Sequence, residues 1–515
     1  MNQVKIGSII SYIQTGVNIL IALLYTPVMI RILGRSEYGL YNTVSSIIAI
    51  VALLNLGFGS TYIKYYSGYR AKNDQQAIYK LNGMFLCIFL MIAAVAGACG
   101  FFLSNNLSLV FSTGLTEAEY VVSKKLMLLL TGNLMFTFAA NVFTCIISAH
   151  EKFMFLKLLG VLKTVISPLV TIPILLVGYG SIGMVMVTVT LSLLCDLLYV
   201  LFVLCNLKEK FVFKGYDPAL FKELFRYTSL IAIHLIVDQI NWNVDKILLG
   251  RFKGTKTVAL YSVGYSLYAH YISVGLTMVN MFVPRVHKIV AECENEPAKL
   301  TTKLTALFIK IGRVQYLVLA PIVVGFVLFG RSFIIHWAGA EYEQAYYITL
   351  LLIIPGSIDL IQNIGIEMQR AQRLHAFRAI IYAVMAGINV VLSVILCQEY
   401  GAVGCAVGTA ISLIVVQGVV INIYYYKKCH INVVAFWKSI LQMTKGLALP
   451  LVFGIVVCCI KSSFSFLELV MYIGCFVLLY IPSMYLIGLS ADEKGKIRSA
   501  LMRAKKAAVR EKKAH

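Results

Sequence analysis

Apolar residues recur along this chain in runs of about twenty, separated by short polar connections, from one end to the other. A helix needs about 20 mostly apolar residues to cross the hydrocarbon core of a bilayer. Fourteen such runs begin near Gly7, Tyr38, Leu81, Val121, Phe155, Ile182, Leu224, Val258, Leu304, Ala345, Ala376, Ala402, Ser439 and Phe466. The pattern predicts an all-α polytopic membrane protein with about 14 transmembrane helices. The first run, Gly7 to Ile30, is too long for the apolar core of a cleaved signal peptide, and no small-residue cleavage site follows it.

Composition agrees. The 515 residues are 60% hydrophobic and 13% charged, about half the charged fraction of a soluble domain. A net charge of +22 raises the question of nucleic acid, but its placement argues against one. With an even number of spans and Lys5 inside, the basic residues fall on the inner connections: Lys64, Arg70, Lys72 and Lys80; Lys208, Lys210, Lys214, Lys222 and Arg226; Arg285, Lys288, Lys299 and Lys303; Arg370, Arg373 and Arg378. The outer connections are poor in them. This is the positive-inside distribution, and it predicts that both termini are cytoplasmic. No basic soluble module is present for nucleic acid to bind. The twelve cysteines are scattered within apolar runs without a C-x-x-C pair, so they read as small buried side chains. No metal site or cofactor is expected.

The two halves echo each other. "ILGR" at Ile32–Arg35 matches "LLGR" at Leu248–Arg251; "YGLYNTVSSI" at Tyr38–Ile47 matches "VALYSVGYSL" at Val258–Leu267; "YGSIG" at Tyr179–Gly183 matches "YGAVG" at Tyr400–Gly404. The offsets of 216, 220 and 221 are nearly constant, which indicates an internal repeat. Each copy holds six spans. An even number returns the chain to its starting side, so the copies share an orientation and are related by an axis along the membrane normal, with a central cavity between two pseudo-symmetric six-helix lobes. The expected division is an N-lobe over 1–215, a C-lobe over 216–430, two further helices over 431–490 and a basic cytoplasmic tail over 491–515. The glycine of each "LGR" marks the outer end of a leading helix. The small residues of Gly401–Gly408 are expected to serve helix packing.

No nucleotide-binding glycine fingerprint and no H-E-x-x-H appear. No catalytic residues are assigned, and a transporter fits better than an enzyme. "PVMIRILGRSEYGLY" (Pro27–Tyr41), "LLNLGFGSTYIKYY" (Leu53–Tyr66) and "VDKILLG" followed by "ALYSVGYSL" resemble the polysaccharide transporters of the multidrug/oligosaccharidyl-lipid/polysaccharide (MOP) exporter superfamily, the O-antigen flippase (Wzx-type) group. The motifs separate this group poorly from its own relatives, which include teichuronic acid exporters and peptidoglycan-precursor flippases; the latter are an alternative reading that differs only in substrate. The resemblance covers essentially the whole chain. It implies a flippase of the bacterial cytoplasmic membrane that moves an undecaprenyl-pyrophosphate-linked oligosaccharide from the inner to the outer leaflet by alternating access, with a polysaccharide polymerase as a partner. The rival readings are a multidrug exporter of the same superfamily, which would usually stop at twelve spans, and a membrane glycan polymerase or glycosyltransferase, which would carry a large external loop or an acidic catalytic cluster.

Ionisable groups inside a bilayer are costly and mark function by default. His234, Asp238, Asn241 and Asp245 are spaced four, three and four apart along one face of the seventh span. Asp245, Asp238 and His234 are candidates for coupling to Na⁺ or H⁺. The competing reading pairs Asp245 with Lys246 or Arg31 in a structural ion pair. Gln14, Asn18 and Tyr25 on the first span, with Asn241, are candidate cavity-lining groups for sugar. Lys64, Arg285, Lys310, Arg313 and Arg31 are candidates for the pyrophosphate; anchoring at the membrane interface is the alternative for each. The tail is expected to lie against anionic lipid.

Overall fold

The computed structural model describes residues 3–499, apart from 56, 110, 112–114, 215–217, 280–281, 294–295, 462 and 496–497. Seventeen helices account for nearly all of it, and no strand occurs among the described residues. In order they are α1 Gln3–Val51, α2 Phe58–Ala71, α3 Gln75–Asn105, α4 Glu117–Ala149, α5 Phe153–Leu176, α6 Gly180–Leu201, α7 Pro218–Phe252, α8 Thr255–Val279 and α9 Val283–Glu292. There follow α10 Pro297–Trp337, α11 Ala345–Ile361, α12 Ile364–Ala371, α13 His375–Leu413, α14 Ile421–Lys427, α15 Val433–Thr444, α16 Ala448–Ile460 and α17 Phe466–Ser483.

Every one of the fourteen apolar runs lies on a helix. Among the described residues nine helices are long and apolar enough to cross a membrane, or ten if α11 and α12, bent by 42°, form one span. Two of the nine, Gln14–Ala71 and Phe377–Lys427, each carry two of the predicted runs. The remaining two runs are α7 and α8, whose polar residues keep them outside that group. Large apolar side chains cover the outside of the helices, as a lipid-facing surface requires: Val177 is 74% exposed, Ile460 80% and Leu467 82%.

Glycine explains where the longest helices break. Gly34 leaves the helical region inside α1 at φ 72° and ψ 171°, a conformation a side chain would resist. Gly401 does the same inside α13 at φ 59° and ψ −130°. In the second repeat copy the break is displaced: Gly250 stays helical against Thr43, and Gly254, at φ 81°, ends α7. Side chains set other helix starts. Thr116 and Glu119 form a reciprocal capping box on α4, and Ser465 and Glu468 form one on α17.

The chain divides into two compact units. The first holds residues 1–273, 347–352 and 377–413; the second holds 274–346, 353–376 and 414–515. In the first, Phe58, Tyr62, Phe85, Phe89, Ile146 and Val203 build one apolar cluster, and Leu40, Val44, Leu126, Met127 and Val185 build another. Gly404 and Gly408 let the second arm of α13 lie backbone to backbone on the first, at Leu396 and Ser393, which is the packing role expected of small residues. In the second unit Phe329, Leu469 and Phe476 join α10 to α17.

Candidate functional site

Asp245 sits near the end of α7 with 3% of its surface exposed. A charge there needs partners, and two hydroxyls provide them. Tyr261 on α8 donates to Oδ2 at 2.7 Å, and Thr409 on α13 donates to the same oxygen at 2.8 Å. Oδ1 has no hydrogen-bond partner. Thr409 also lies 3.2 Å from Oδ1 of Asn389, which in turn accepts from Ser393 at 3.3 Å. One carboxylate, one amide oxygen and three hydroxyls therefore meet in a buried cluster on three helices. One turn earlier, Asn241 is 6% exposed and its Oδ1 is also unpartnered.

Lys246 does not close this cluster as an ion pair. Its ammonium lies over the Tyr265 ring, 4.4 Å from the centroid, where the ring face attracts it. Tyr265 stacks on Tyr261 and packs against Trp242. Lys246 acts on Asp245 electrostatically, without ion-pair contact. The donor set of hard oxygens around an unpaired carboxylate oxygen suits a small monovalent cation or a proton. His234 and Asp238 lie on α7, but their side chains are outside the described residues.

The phosphate candidates separate. Arg285 and Lys310 line a single pocket of about 710 Å³ between α9 and α10, together with Lys288 and Lys303. Among the described residues Glu292 is the one acidic group on that wall; it pairs with Lys288 at 3.7 Å and Lys303 at 3.4 Å. Arg285 and Lys310 are exposed there. Arg313, one turn beyond Lys310, points elsewhere. It is 8% exposed, and its guanidinium donates to both carboxylate oxygens of Glu493, to the Ser439 carbonyl and hydroxyl, and to the Gly488 carbonyl. Partial burial would raise the Glu493 pKa. The Arg313 bonds and the Ser490 amide and hydroxyl outweigh it and hold the carboxyl at about 2. Arg313 thus ties α10 to the segment after α17. Lys64 is exposed beside the Tyr65 ring at 5.5 Å, and Arg31 is exposed on α1.

Of the cavity candidates, Gln14 and Tyr25 face α5. The Gln14 amide nitrogen lies 2.9 Å from where a Cβ on Gly160 would stand, and the Tyr25 hydroxyl bonds Thr171. Asn18 is exposed on α1.

A second polar cluster joins equivalent segments of the repeat. Arg35 donates to the Lys256 carbonyl at 3.1 Å, and Ser36 and Thr255 hydroxyls lie 3.0 Å apart. Both hydroxyls also reach Oε1 of Glu119, Thr255 at 3.3 Å and Ser36 closer. The two contacts span 221 and 219 residues. These separations bracket the offset of 220 that relates Tyr38–Ile47 to Val258–Leu267, so the cluster joins the starts of those two matched segments. Gly39 makes room for the approach, with its α-carbon against the Thr255 carbonyl.

Residues 4–290 match the profile of the family described as polysaccharide biosynthesis protein. The chain belongs to this family. The teichuronic acid biosynthesis protein TuaB of Bacillus subtilis (strain 168) is 24% identical to this chain over 143 residues, which is 28% of this chain and 28% of that protein. Among solved structures, the lipid II flippase MurJ in an inward closed conformation matches 93% of this chain and 98% of its own, with a TM-score of 0.71 at 16% identity. An inward-facing multidrug resistance MATE transporter of the MOP superfamily matches 82% of this chain and 96% of its own, with a TM-score of 0.66 at 14% identity. At these identities the structural likeness establishes the fold: a multi-pass helical membrane protein built like MOP transporters. The family agrees with the resemblance read from the sequence motifs, and the solved neighbours are transporters and flippases.

Proposed function

We propose that this family member is a flippase carrying an undecaprenyl-pyrophosphate-linked oligosaccharide from the inner to the outer leaflet of the bacterial cytoplasmic membrane, with both termini inside. The observation that carries the reading is the gathering of Arg285, Lys288, Lys303 and Lys310 about one pocket. Two of these four cations share a single carboxylate, so the wall keeps a net positive charge suited to a pyrophosphate. The sugar would meet polar groups such as Gln14, Asn18, Tyr25 and Asn241. Residues 1–215 and 216–430 would act as the lobes of an alternating-access cycle, a motion that moves the head group without breaking a bond. The Ser36–Glu119–Thr255 cluster would close the outer end while the inner end is open. Asp245 would couple the cycle to Na⁺ or H⁺, because loading its unpartnered Oδ1 changes the charge of a buried cluster shared by α7, α8 and α13. A polymerase would consume the product outside.

The test is transport in reconstituted vesicles. A labelled polyprenyl-pyrophosphate oligosaccharide is placed in one leaflet, and its exposure to an impermeant probe is followed with and without an ion gradient. Wild type should flip it. The Arg285→Ala/Lys310→Ala double variant should lose tenfold or more, and Asp245→Asn should lose the gradient dependence. Equal flipping by wild type and the double variant would remove the pocket from the mechanism. No flipping of any polyprenyl-linked glycan would turn the reading toward drug export.

A further inference from the structure

The middle of the amino-terminal helices holds a charged cluster unconnected to Asp245. Lys163 on α5 donates to the Ser192 hydroxyl on α6 at 2.7 Å. That hydroxyl spends its own hydrogen on the Thr188 carbonyl, also at 2.7 Å. Ser192, 5% exposed, is therefore oriented as an acceptor and holds the ammonium in place. One turn along α6, Asp196 receives a single hydrogen bond, from Thr137 on α4, at 3.5 Å. Lys163 acts on it electrostatically but is not in ion-pair contact with it.

All three helices place these groups at one depth. Lys163 lies ten residues after Phe153, Asp196 eleven before Leu207 and Thr137 twelve before Ala149. At 1.5 Å per residue each is about 15–18 Å from the same end of the bundle, near the centre of a bilayer about 30 Å thick. Charges there persist where they serve a function.

The two halves of the cluster are unequal. The lysine is well held. The carboxylate has one long hydrogen bond, no cation in contact and a half-buried surface. A pair kept only for stability would close to contact, because an unpaired charge in the apolar layer is expensive. Lys163 already supplies a positive charge, so a metal cation would be repelled. A proton is the cation that fits, since it bonds directly to a carboxylate oxygen and needs no shell of ligands.

We infer that Lys163, Ser192, Asp196 and Thr137 form a proton-exchange site within the α4–α5–α6 bundle, with Asp196 as the group that binds and releases the proton. The step is a single O–H bond made to a carboxylate oxygen of Asp196. It takes the cluster from neutral to singly positive while Lys163 stays charged on Ser192. The other titratable neighbours on α6 are Cys195 and Tyr199. No further charged group acts on Asp196 among the described residues. This site would hold whichever solute the protein carries.

Infrared difference spectroscopy of the full-length protein in lipid vesicles, titrated over the neutral range, tests it without any transport substrate. The wild type should show a carboxylic-acid C=O band that appears as pH falls, and Asp196→Asn should lack that component. In Lys163→Gln the band should persist to more alkaline pH, because the cation favouring the carboxylate is gone. Asp196→Glu retains the acid if the asparagine variant fails to fold, and it should show the band at a displaced frequency. A titrating band identical in wild type, Asp196→Asn and Asp196→Glu, or no such band at all, would overturn the inference and leave Asp196 a permanently ionised structural group.

Discussion

Gly39 is the point at which the contact between repeat copies can be broken by one methyl group. A Cβ built there would lie 1.8 Å from the Thr255 carbonyl oxygen and 3.1 Å from the Ala259 nitrogen. Both neighbours are backbone, so no side-chain rotation relieves the clash. Moving from 1.8 Å to the 3.4 Å of ordinary contact requires α8 to retreat by about 1.6 Å at its start. That displacement exceeds what hydrogen bonds of 3.0, 3.1 and 3.3 Å tolerate. Three such bonds, some to charged groups, are worth about 3–4 kcal/mol together. At about 1.4 kcal/mol per factor of ten, Gly39→Ala should disfavour the closed contact by roughly two to three orders of magnitude. The assay is a pulsed spin-label distance between Glu117→Cys on α4 and Lys253→Cys beyond α7, in a background with the twelve native cysteines replaced. The distribution should shift to longer distances in Gly39→Ala. It should not shift in Gly68→Ala, where nothing lies within 4 Å of the added carbon. An unchanged distribution in a stably folded Gly39→Ala would refute the argument that this contact is a closing element.

Two other outcomes follow from buried networks. Glu493→Gln should cost about 2–3 kcal/mol at neutral pH, after allowing for the 25% exposure of the carboxylate, because the folded state holds it at about 2 against 4.5 unfolded. A depressed carboxyl stabilises fully above its unfolded value and loses that contribution as pH falls toward the folded one, so the gap in thermal unfolding between wild type and variant should narrow below about pH 4.5. Tyr261→Phe and Thr409→Val should each destabilise by about 1–3 kcal/mol. Since both hydroxyls reach the same oxygen of Asp245, the effects should be non-additive in denaturation of the double variant and should shrink in an Asp245→Asn background.

The helices were legible in the sequence because bilayer-spanning segments must satisfy their own backbone and face lipid, and both demands are written locally as length and apolarity. The repeat was legible for a similar reason: "LGR" and the "ALYSVGYSL" motif kept their spacing. Its consequence was less so. Only the fold shows that Ser36 and Thr255 meet, and that Glu119 both caps α4 and joins the two segments. Asp245 stood out as a charge in an apolar stretch, but its partners did not. Asn389, Ser393 and Thr409 are single polar residues inside apolar runs, and the chain places Thr409 164 positions away.

Arg313 and Lys310 show why spacing alone cannot assign a charge. They are three residues apart on α10 and read alike in the sequence. On a helix that spacing puts them on one broad face, about 60° apart around the axis. One side of that face meets α9, where Arg285, Lys288 and Lys303 add their charges and a pocket opens. The other side meets Ser439 and the turn after α17, which carries Glu493. A guanidinium with five donors can satisfy a carboxylate, two carbonyls and a hydroxyl at once, whereas an ammonium cannot span that fork. The arginine is thus the residue suited to the buried joint, and the lysine, left exposed on the pocket wall, is the one available to an anion. The tail follows the same logic. Among its described residues the contact to α10 is made by the acidic Glu493, which meets the Arg313 guanidinium.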